Sequence, residues 1–224
     1  MKQNLVCILL LIISFSASAQ QTNHSNYKLP DGKLVRSNQL DSVDKAWGGH
    51  GFSLKHDTST LGIINVIPMT AEFLKKQAEN KENLDALLNK PAPDFTLKDL
   101  TGKKWRLSQL QGKTVVLNFW FTTCPPCIQE IPELNELKRT YQDGSVVFLG
   151  LGSDDAKTIK RFLKLHPFHY TLLENADVAG NLYNINSYPT SLVIDPKGII
   201  RFIQVGGKNI RRQIAGAVNQ INNK

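Results

Sequence analysis

Apolar residues are arranged so that strands and helices alternate through the second half of the chain. Residues 114–121 and 145–151 are almost continuously apolar, which is typical of strands buried on both faces of a parallel sheet. After Cys127, apolar residues return at helical spacing, namely Ile128, Ile131, Leu134, Leu137 and Tyr141. The pattern predicts an α/β fold in which a buried strand leads directly into a helix near Cys124.

Shorter elements follow, separated by turn residues. Their spacing predicts a helix at 154–166, a strand at 170–173, a helix at 178–183, strands at 191–194 and 200–205, and a last helix from Asn209.

Elements are also predicted upstream of the first buried strand. Residues 95–97 and 105–107 predict a β-hairpin. Residues 61–69 predict a strand, and Thr70 is a candidate N-cap for a helix that extends to Leu88.

The first residues have the pattern of an export signal. Lys2 supplies a positive charge, residues 5–15 are apolar, and residues 17–19 have the small side chains of a cleavage site. The apolar stretch is short for a membrane span, so cleavage is expected and an uncleaved anchor is the alternative. We therefore expect a signal peptide at 1–19 and an exported protein, in the periplasm or on the outer face of the cytoplasmic membrane.

Two prolines suggest where the second domain begins. Pro91 and Pro93 favour extended backbone in the residues before them. We therefore expect an N-terminal region of unknown role at 20–89 and a second domain at 90–224.

Charge does not indicate a nucleic-acid partner. The chain of 224 residues has a formal net charge of +8, but its basic residues occur in short, scattered groups without interleaved aromatic residues. Isolated histidines such as His50 and His56 do not form a ligand set, so no metal site is expected.

The strongest chemical signal is Cys124-Pro125-Pro126-Cys127. The N-terminus of a helix favours an anion, so a thiol at that position is expected to ionise more readily than usual. Prolines are tolerated there because the first N–H groups of a helix have no intrahelical acceptor. We expect Cys124 to be the reactive thiol, and Cys127, one turn further on, to be less exposed.

This strand, the paired cysteines and the following helix with its internal Pro132 resemble thioredoxin-fold thiol-disulfide oxidoreductases of the TlpA/ResA type, in the AhpC/TSA-Redoxin-like branch. The resemblance covers residues 90–224. It implies a central mixed sheet flanked by helices, with an N-terminal hairpin and a central strand-helix insertion. It also implies a redox-active disulfide Cys124–Cys127 and no further cofactor.

Glu130 is the third candidate catalytic residue. It lies three residues after Cys127, so the two side chains share one face of a helix. Spacing alone leaves a proton-handling carboxylate and a solvated one equally open; the resemblance favours the first, because such proteins carry a glutamate here. The buried aspartate of thioredoxin would fall at Asn118, which cannot take up a proton.

The resemblance also implies substrate-binding residues. Pro189 matches the cis-proline opposite the cysteines, and the backbone of Tyr188 before it would pair with a bound chain. Trp120 resembles the aromatic residue beneath the site. Pro125 and Pro126, between the cysteines, complete the expected contact set.

The leading hypothesis is an exported reductant of protein disulfides, with protein thiols or disulfides as substrates and a membrane protein as electron donor. Cytochrome c maturation is one role that the resemblance suggests. A copper-binding chaperone on the same fold is one alternative. A peroxiredoxin-like peroxidase is the other, although Leu117 and Phe121 occupy the positions of that family's proline and threonine.

Overall fold

The computed structural model describes residues 26–49, 51–56, 63–207 and 209–223. The chain divides into two compact units, Met1–Leu74 and Lys75–Lys224. The predicted signal peptide and His50 lie outside the described residues, as does the side chain of His56. The boundary predicted at residue 90 stays a prediction, while the second compact unit begins earlier in the chain.

The first unit is a small sheet with one short helix. The elements are β1 (Asn26–Lys28), β2 (Leu34–Val35), α1 (Leu40–Ala46), β3 (Phe52–His56) and β4 (Ile63–Pro68). The strands lie in the order β2-β1-β4-β3, with β1 and β4 parallel and the other neighbours antiparallel. Leu29, Val35, Leu40 and Val66 form the core of this unit.

Helix α2 (Ala71–Asp85) starts in the first unit and continues into the second. The predicted cap at Thr70 is confirmed, since its Oγ1 accepts a hydrogen bond of 3.1 Å from the backbone N–H of Phe73. Leu84 in the last turn of the helix is 1% exposed and belongs to a core of the second unit.

The second unit is the predicted α/β fold, a mixed five-stranded sheet with helices on both faces. After α2, the elements are β5 (Thr96–Lys98), β6 (Lys104–Arg106), β7 (Thr114–Trp120), α3 (Pro125–Thr140), β8 (Val146–Gly152), α4 (Ala156–Phe162), β9 (Thr171–Leu173), α5 (Asp177–Leu182), β10 (Thr190–Ile194), β11 (Ile200–Val205) and α6 (Ile210–Asn222). The strands of the sheet lie in the order β11-β10-β7-β8-β9. Strands β7, β8 and β9 are parallel, β10 is antiparallel to β7, and β11 is antiparallel to β10.

Alternation along the central strand β7 divides the core in two. Every residue of β7 is buried, and successive side chains of a strand point to opposite faces. Val116 and Trp120 lie in one core with residues of α3, α4 and α6. Leu117 and Phe119 lie in the other, with residues of α2 and α5. This explains why the strand has no polar face in the sequence.

The predicted hairpin is confirmed as the antiparallel pair β5–β6. Asp99 organises its turn, since its carboxylate accepts hydrogen bonds from the backbone N–H groups of Thr101 and Lys103 and from the indole N–H of Trp105. The helix predicted at 154–166 is shorter than expected, because regular α-helix stops at Phe162. Among the described residues, no helix is both long and apolar enough to cross a bilayer.

Candidate active site

Cys124 and Cys127 lie where the central strand gives way to α3. Cys124 is the N-cap of the helix, and its Sγ accepts a hydrogen bond of 3.3 Å from the backbone N–H of Cys127. Pro125 and Pro126 occupy the first helical positions, as expected. The two sulfurs form a disulfide, with the Cα atoms 5.3 Å apart. A donor aimed at Sγ stabilises the thiolate that opening of the disulfide would release.

The two cysteines are equally buried, which corrects the expectation that Cys127 is the less exposed. Each is 2% exposed, because the disulfide draws both sulfurs into the turn that starts the helix. Thr123, Pro125 and Pro126 are exposed and form the rim around them. A large partner would therefore meet the rim before it meets the sulfurs.

Glu130 lies one turn beyond Cys127 and is buried, with 8% of its surface exposed. Among the described residues, its Oε2 has no hydrogen-bond partner. Burial raises the pKa of this carboxyl to about 7, and the nearby negative charge of Glu133 adds to the rise. A group with that pKa exchanges its proton readily near neutral pH.

Trp120 supports the site from inside the fold. It is 1% exposed, and its ring packs against those of Phe162 and Phe168, with centroids 5.3 and 5.5 Å away. These rings enclose the indole, and contact of Trp120 with substrate stays a prediction. Its position beneath the site is the part of the expectation that the structure supports.

Glycines on the neighbouring strand make room for this indole. A Cβ atom at Gly150 would lie 3.3 Å from Nε1 of Trp120, and one at Gly152 would lie 3.5 Å from it. The two glycines are two residues apart, so they open the same face of β8. The spacing of these glycines in an apolar strand therefore has a steric reason.

The peptide bond between Tyr188 and Pro189 is cis, as the resemblance implied. Thr190 pairs with Phe119 across the sheet, which places Pro189 at the sheet end where β7 leads to Cys124. Among the described residues, neither the backbone N–H nor the carbonyl of Tyr188 forms a hydrogen bond. Tyr188 is half-buried, and its ring meets that of Phe121 with centroids 5.2 Å apart.

Asn118 is buried beneath the same sheet end. Its side-chain amide donates a hydrogen bond of 3.0 Å to Oγ of Ser191 on the paired strand β10. Both groups are neutral, so this pair holds the two strands together without taking up a proton. Of the two groups considered for proton transfer, Glu130 is the one whose chemistry allows it.

Two further residues belong to the site, and the sequence pattern did not predict a role for either of them. Asp154, after β8, accepts a hydrogen bond of 2.7 Å from the backbone N–H of Thr122 and so holds the segment before Cys124. Tyr170 is 5% exposed, and its hydroxyl has no hydrogen-bond partner among the described residues. Burial raises the pKa of this hydroxyl, and the charge of Glu130 adds to the rise. Both lie far from the cysteines in sequence, where no local pattern marks them.

Within the part of the chain that the structure describes, no group of three or more His, Cys, Asp or Glu side chains is arranged to hold a metal ion.

Comparison with known proteins identifies the same segment. Residues 88–203 match the AhpC/TSA family. The chain is 36% identical over 133 residues to the thioredoxin-like protein YneN of Bacillus subtilis, covering 58% of this chain and 78% of that protein. It is 33% identical over 136 residues to the thiol-disulfide oxidoreductase ResA of Bacillus cereus, covering 60% of this chain and 78% of ResA.

A solved structure agrees with these relatives. The putative thiol:disulfide interchange protein DsbE of Chlorobium tepidum superposes with a TM-score of 0.52 at 29% identity, over 57% of this chain and 95% of that one. The residues matched to the family include the paired cysteines, the cis-proline, strands β7 to β10 and the first part of β11. The chain therefore belongs to the AhpC/TSA family and is a thiol-disulfide oxidoreductase with a thioredoxin fold.

Proposed function

We propose that this chain is an exported reductant of protein disulfides, with Cys124 as nucleophile and Cys127 as resolving thiol. The observation that carries the proposal is the position of the pair. Cys124 caps α3 at the sheet end where the cis-proline loop leaves the backbone of Tyr188 without a partner among the described residues. Cys124 and these backbone groups therefore lie at the same end of the sheet, where an extended partner chain would bind.

The first step is attack by the Cys124 thiolate on one sulfur of a partner disulfide. A bond forms between Cys124 and that sulfur, the partner's disulfide breaks, and its second sulfur leaves as a thiolate. The N-cap position and the N–H of Cys127 favour the attacking anion.

The second step releases the partner. Cys127 gives its proton to Glu130 and attacks the Sγ of Cys124, so the mixed disulfide breaks and the partner's first sulfur leaves. That sulfur takes a proton, which Glu130 can return. The partner has gained two electrons, one proton from Cys127 by way of Glu130, and a second proton that its other thiolate takes from solvent. The enzyme is left with the Cys124–Cys127 disulfide that the structure contains.

Glu130 suits this role because it holds its proton in a buried place yet ionises near neutral pH. Its carboxyl has a pKa of about 7, so the protonated and charged forms are both populated at working pH. It lies one helical turn from Cys127, within the same buried region.

The cis-proline loop and the rim supply the contacts for a partner. The backbone groups of Tyr188, which have no partner within the described part of the chain, would pair with an extended segment around the partner's cysteine. Pro125 and Pro126 are exposed next to Cys124 and form a stiff apolar edge for the same segment. Pro189 is itself buried and acts by fixing this backbone.

The direction of electron flow and the place of action complete the proposal. The export signal at 1–19 would bring the protein to the periplasm or the outer face of the cytoplasmic membrane. There a membrane protein with its own dithiol would return two electrons to Cys124–Cys127. Reduction of cysteines during cytochrome c maturation is the physiological role that the resemblance to TlpA/ResA-type proteins suggests.

Titration of the mature protein against graded redox buffers tests the direction, with the thiol state followed by alkylation and mass. A midpoint at or below about −270 mV supports a reductant, and one near about −120 mV would indicate a disulfide donor instead.

Insulin reduction tests the chemistry. Wild-type protein should reduce insulin, Cys124→Ser should be inactive, and Cys127→Ser should accumulate the mixed disulfide. Activity of Cys124→Ser equal to wild type would refute the proposal. Rapid peroxide consumption, or one copper ion per chain that Cys124→Ser loses, would favour the peroxidase or the copper chaperone.

A further inference from the structure

Asn80, on the helix upstream of the predicted domain boundary, contacts the loop that carries the cis-proline. Its amide Nδ2 donates a hydrogen bond of 3.0 Å to Oγ of Ser187. Its Oδ1 accepts one of 3.3 Å from the side-chain amide of Asn186. Asn80 is 8% exposed, so water does not readily replace these partners.

The helix that carries Asn80 is firmly attached to this part of the fold. Leu84 lies four residues further on, on the same helix face, and is 1% exposed within the core that also holds Phe119 and Leu192. Both residues belong to the second compact unit, Lys75–Lys224. Asn80 is therefore a fixed point from which the loop can be held.

Contacts from the side of the sheet also hold the loop. The hydroxyl of Thr190 donates a hydrogen bond of 2.7 Å to the carbonyl of Ser187. The N–H of Gly206 donates one of 2.8 Å to the carbonyl of Pro189. From the helix side, Asn80 holds the side chain of Ser187, immediately before Tyr188. The side-chain amide of Asn186 is shared between Asn80 and the carbonyl of Asn184, which accepts a hydrogen bond of 3.2 Å from it.

An open groove lies along the same contact. Its volume is about 530 Å³, and its lining includes Asn80 and Leu84 from α2 and Ser187 and Tyr188 from the loop. A partner chain bound at Tyr188 would therefore lie beside α2 and would meet the loop in the shape that Asn80 imposes.

We propose that Asn80 is a positioning residue for substrate binding, which fixes Ser187 so that the backbone of Tyr188 is ready to pair with a partner chain. The inference rests on the proposed function, since it takes Tyr188 as a binding residue. A loop ordered in advance spares the partner the entropy cost of ordering it, so the contact improves binding and leaves the chemistry of the sulfurs unchanged.

Asn80→Ala is the test, with Asn83→Ala as the matched control because Asn83 is an exposed asparagine of the same helix. Loss of the hydrogen bonds should raise the KM for insulin about three- to tenfold. The kcat, the midpoint potential of Cys124–Cys127 and the reaction with a small aromatic disulfide should stay at wild-type values. Asn83→Ala should match wild type throughout.

Ser187→Ala removes the Asn80–Ser187 hydrogen bond from the loop side. It tests the role of this bond even if Asn80→Ala does not fold. It should raise the KM for insulin as well, and the double variant should be no worse than the poorer single variant, because both changes remove one interaction. Additive effects, or equal losses with insulin and the small disulfide, would overturn the inference.

The two proposals fail in different ways. A wild-type protein that does not reduce insulin would refute the proposed function. An active wild-type protein with a folded Asn80→Ala variant of unchanged KM would remove only the role of Asn80.

Discussion

At the scale of single residues, burial gives Glu130 its chemistry. Its position three residues after Cys127 is visible in the sequence, but a helix surface has room for a solvated glutamate at the same spacing. The fold leaves it 8% exposed and near Glu133, so its pKa rises to about 7. The sequence position of Glu130 leaves its role open, and its surroundings in the fold set its proton affinity.

Glu130→Gln should stabilise the protein at high pH. The pKa of Glu130 in the folded state is raised from 4.5 to about 7. Between these two pKa values the unfolded chain has already released the Glu130 proton while the folded protein still holds it, so the wild-type protein loses stability as pH rises through this range. Below this range Glu130 is protonated in both states and does not destabilise the fold. We expect the variant to gain roughly 2 kcal/mol in free energy of unfolding at pH 8 and little at pH 4.

Urea unfolding of both proteins at the two pH values measures this difference. Glu136→Gln is the control, because Glu136 lies on the same helix but is half-exposed and paired with Arg139. An equal gain for both variants would contradict the assignment. The same Glu130→Gln protein should resolve the mixed disulfide about ten- to a hundredfold more slowly at pH 7.

Gly150→Ala should destabilise the second unit by about 1–3 kcal/mol. The added Cβ would lie 2.6 Å from Cδ2 of Leu172 and 3.3 Å from Cε1 of Phe168, so the side chains around Trp120 would have to shift. Thermal unfolding gives the change in stability.

Gly216→Ala provides the matched control for Gly150→Ala. Gly216 lies in α6 with no atom within 4 Å of an added Cβ. Alanine there should stabilise the helix by about 0.5–1 kcal/mol. A Gly150→Ala protein as stable as wild type would mean that the indole of Trp120 is less tightly held than the contacts indicate.

At the scale of elements, α2 differs most from what its sequence suggests. Its charged middle weakens the apolar pattern, and Pro91 and Pro93 after it favour a boundary behind the helix. The structure nevertheless buries Leu84 in the core beside Phe119. The last turns of α2 are therefore a structural part of the oxidoreductase unit.

Leu84→Ala should lower the free energy of unfolding of this unit by about 2–4 kcal/mol, because Leu84 is 1% exposed and its removal leaves a cavity. Leu165→Ala makes the same chemical change at a site that is 82% exposed and should change stability by less than about 0.5 kcal/mol. Denaturant unfolding followed by circular dichroism compares them. Similar losses in both variants would show that α2 adds nothing to the core.

At the scale of the whole molecule, the chain divides into two compact units between Leu74 and Lys75, while the domain boundary at residue 90 stays a prediction. The matched family segment begins at residue 88, close to the boundary that the prolines predict. The two boundaries differ because they have different criteria. The family match covers the residues whose sequence resembles the family, whereas the compact unit also includes α2, which packs against the core.

Fragments distinguish the two boundaries. A fragment of residues 75–224 should fold and keep the midpoint potential of the full chain, since it retains Asn80 and Leu84 in their contacts. A fragment of residues 90–224 should be less stable by about 2 kcal/mol or more, because it exposes the core surface that Leu84 covers. Equal melting temperatures of the two fragments would support residue 90 as the structural boundary.

The sequence by itself determined most of the fold and the reactive pair. Local periodicity predicted β7, α3, β8, β10 and β11 to within a few residues, because a strand buried on both faces and an amphipathic helix each have their own hydrophobic period. Cys124 and Cys127 were identifiable because their chemistry depends on short spacing at the start of a helix, which is a local property.

Only the tertiary structure decided the environment of the site. The equal burial of the cysteines, the enclosure of Trp120 and the contact of Asn80 with Ser187 join residues from separate elements. Asp154 and Tyr170 likewise reach the site through the order of strands in the sheet. Such contacts, and the pKa of Glu130 that depends on them, arise from the packing of distant segments, which leaves no periodic pattern along the chain.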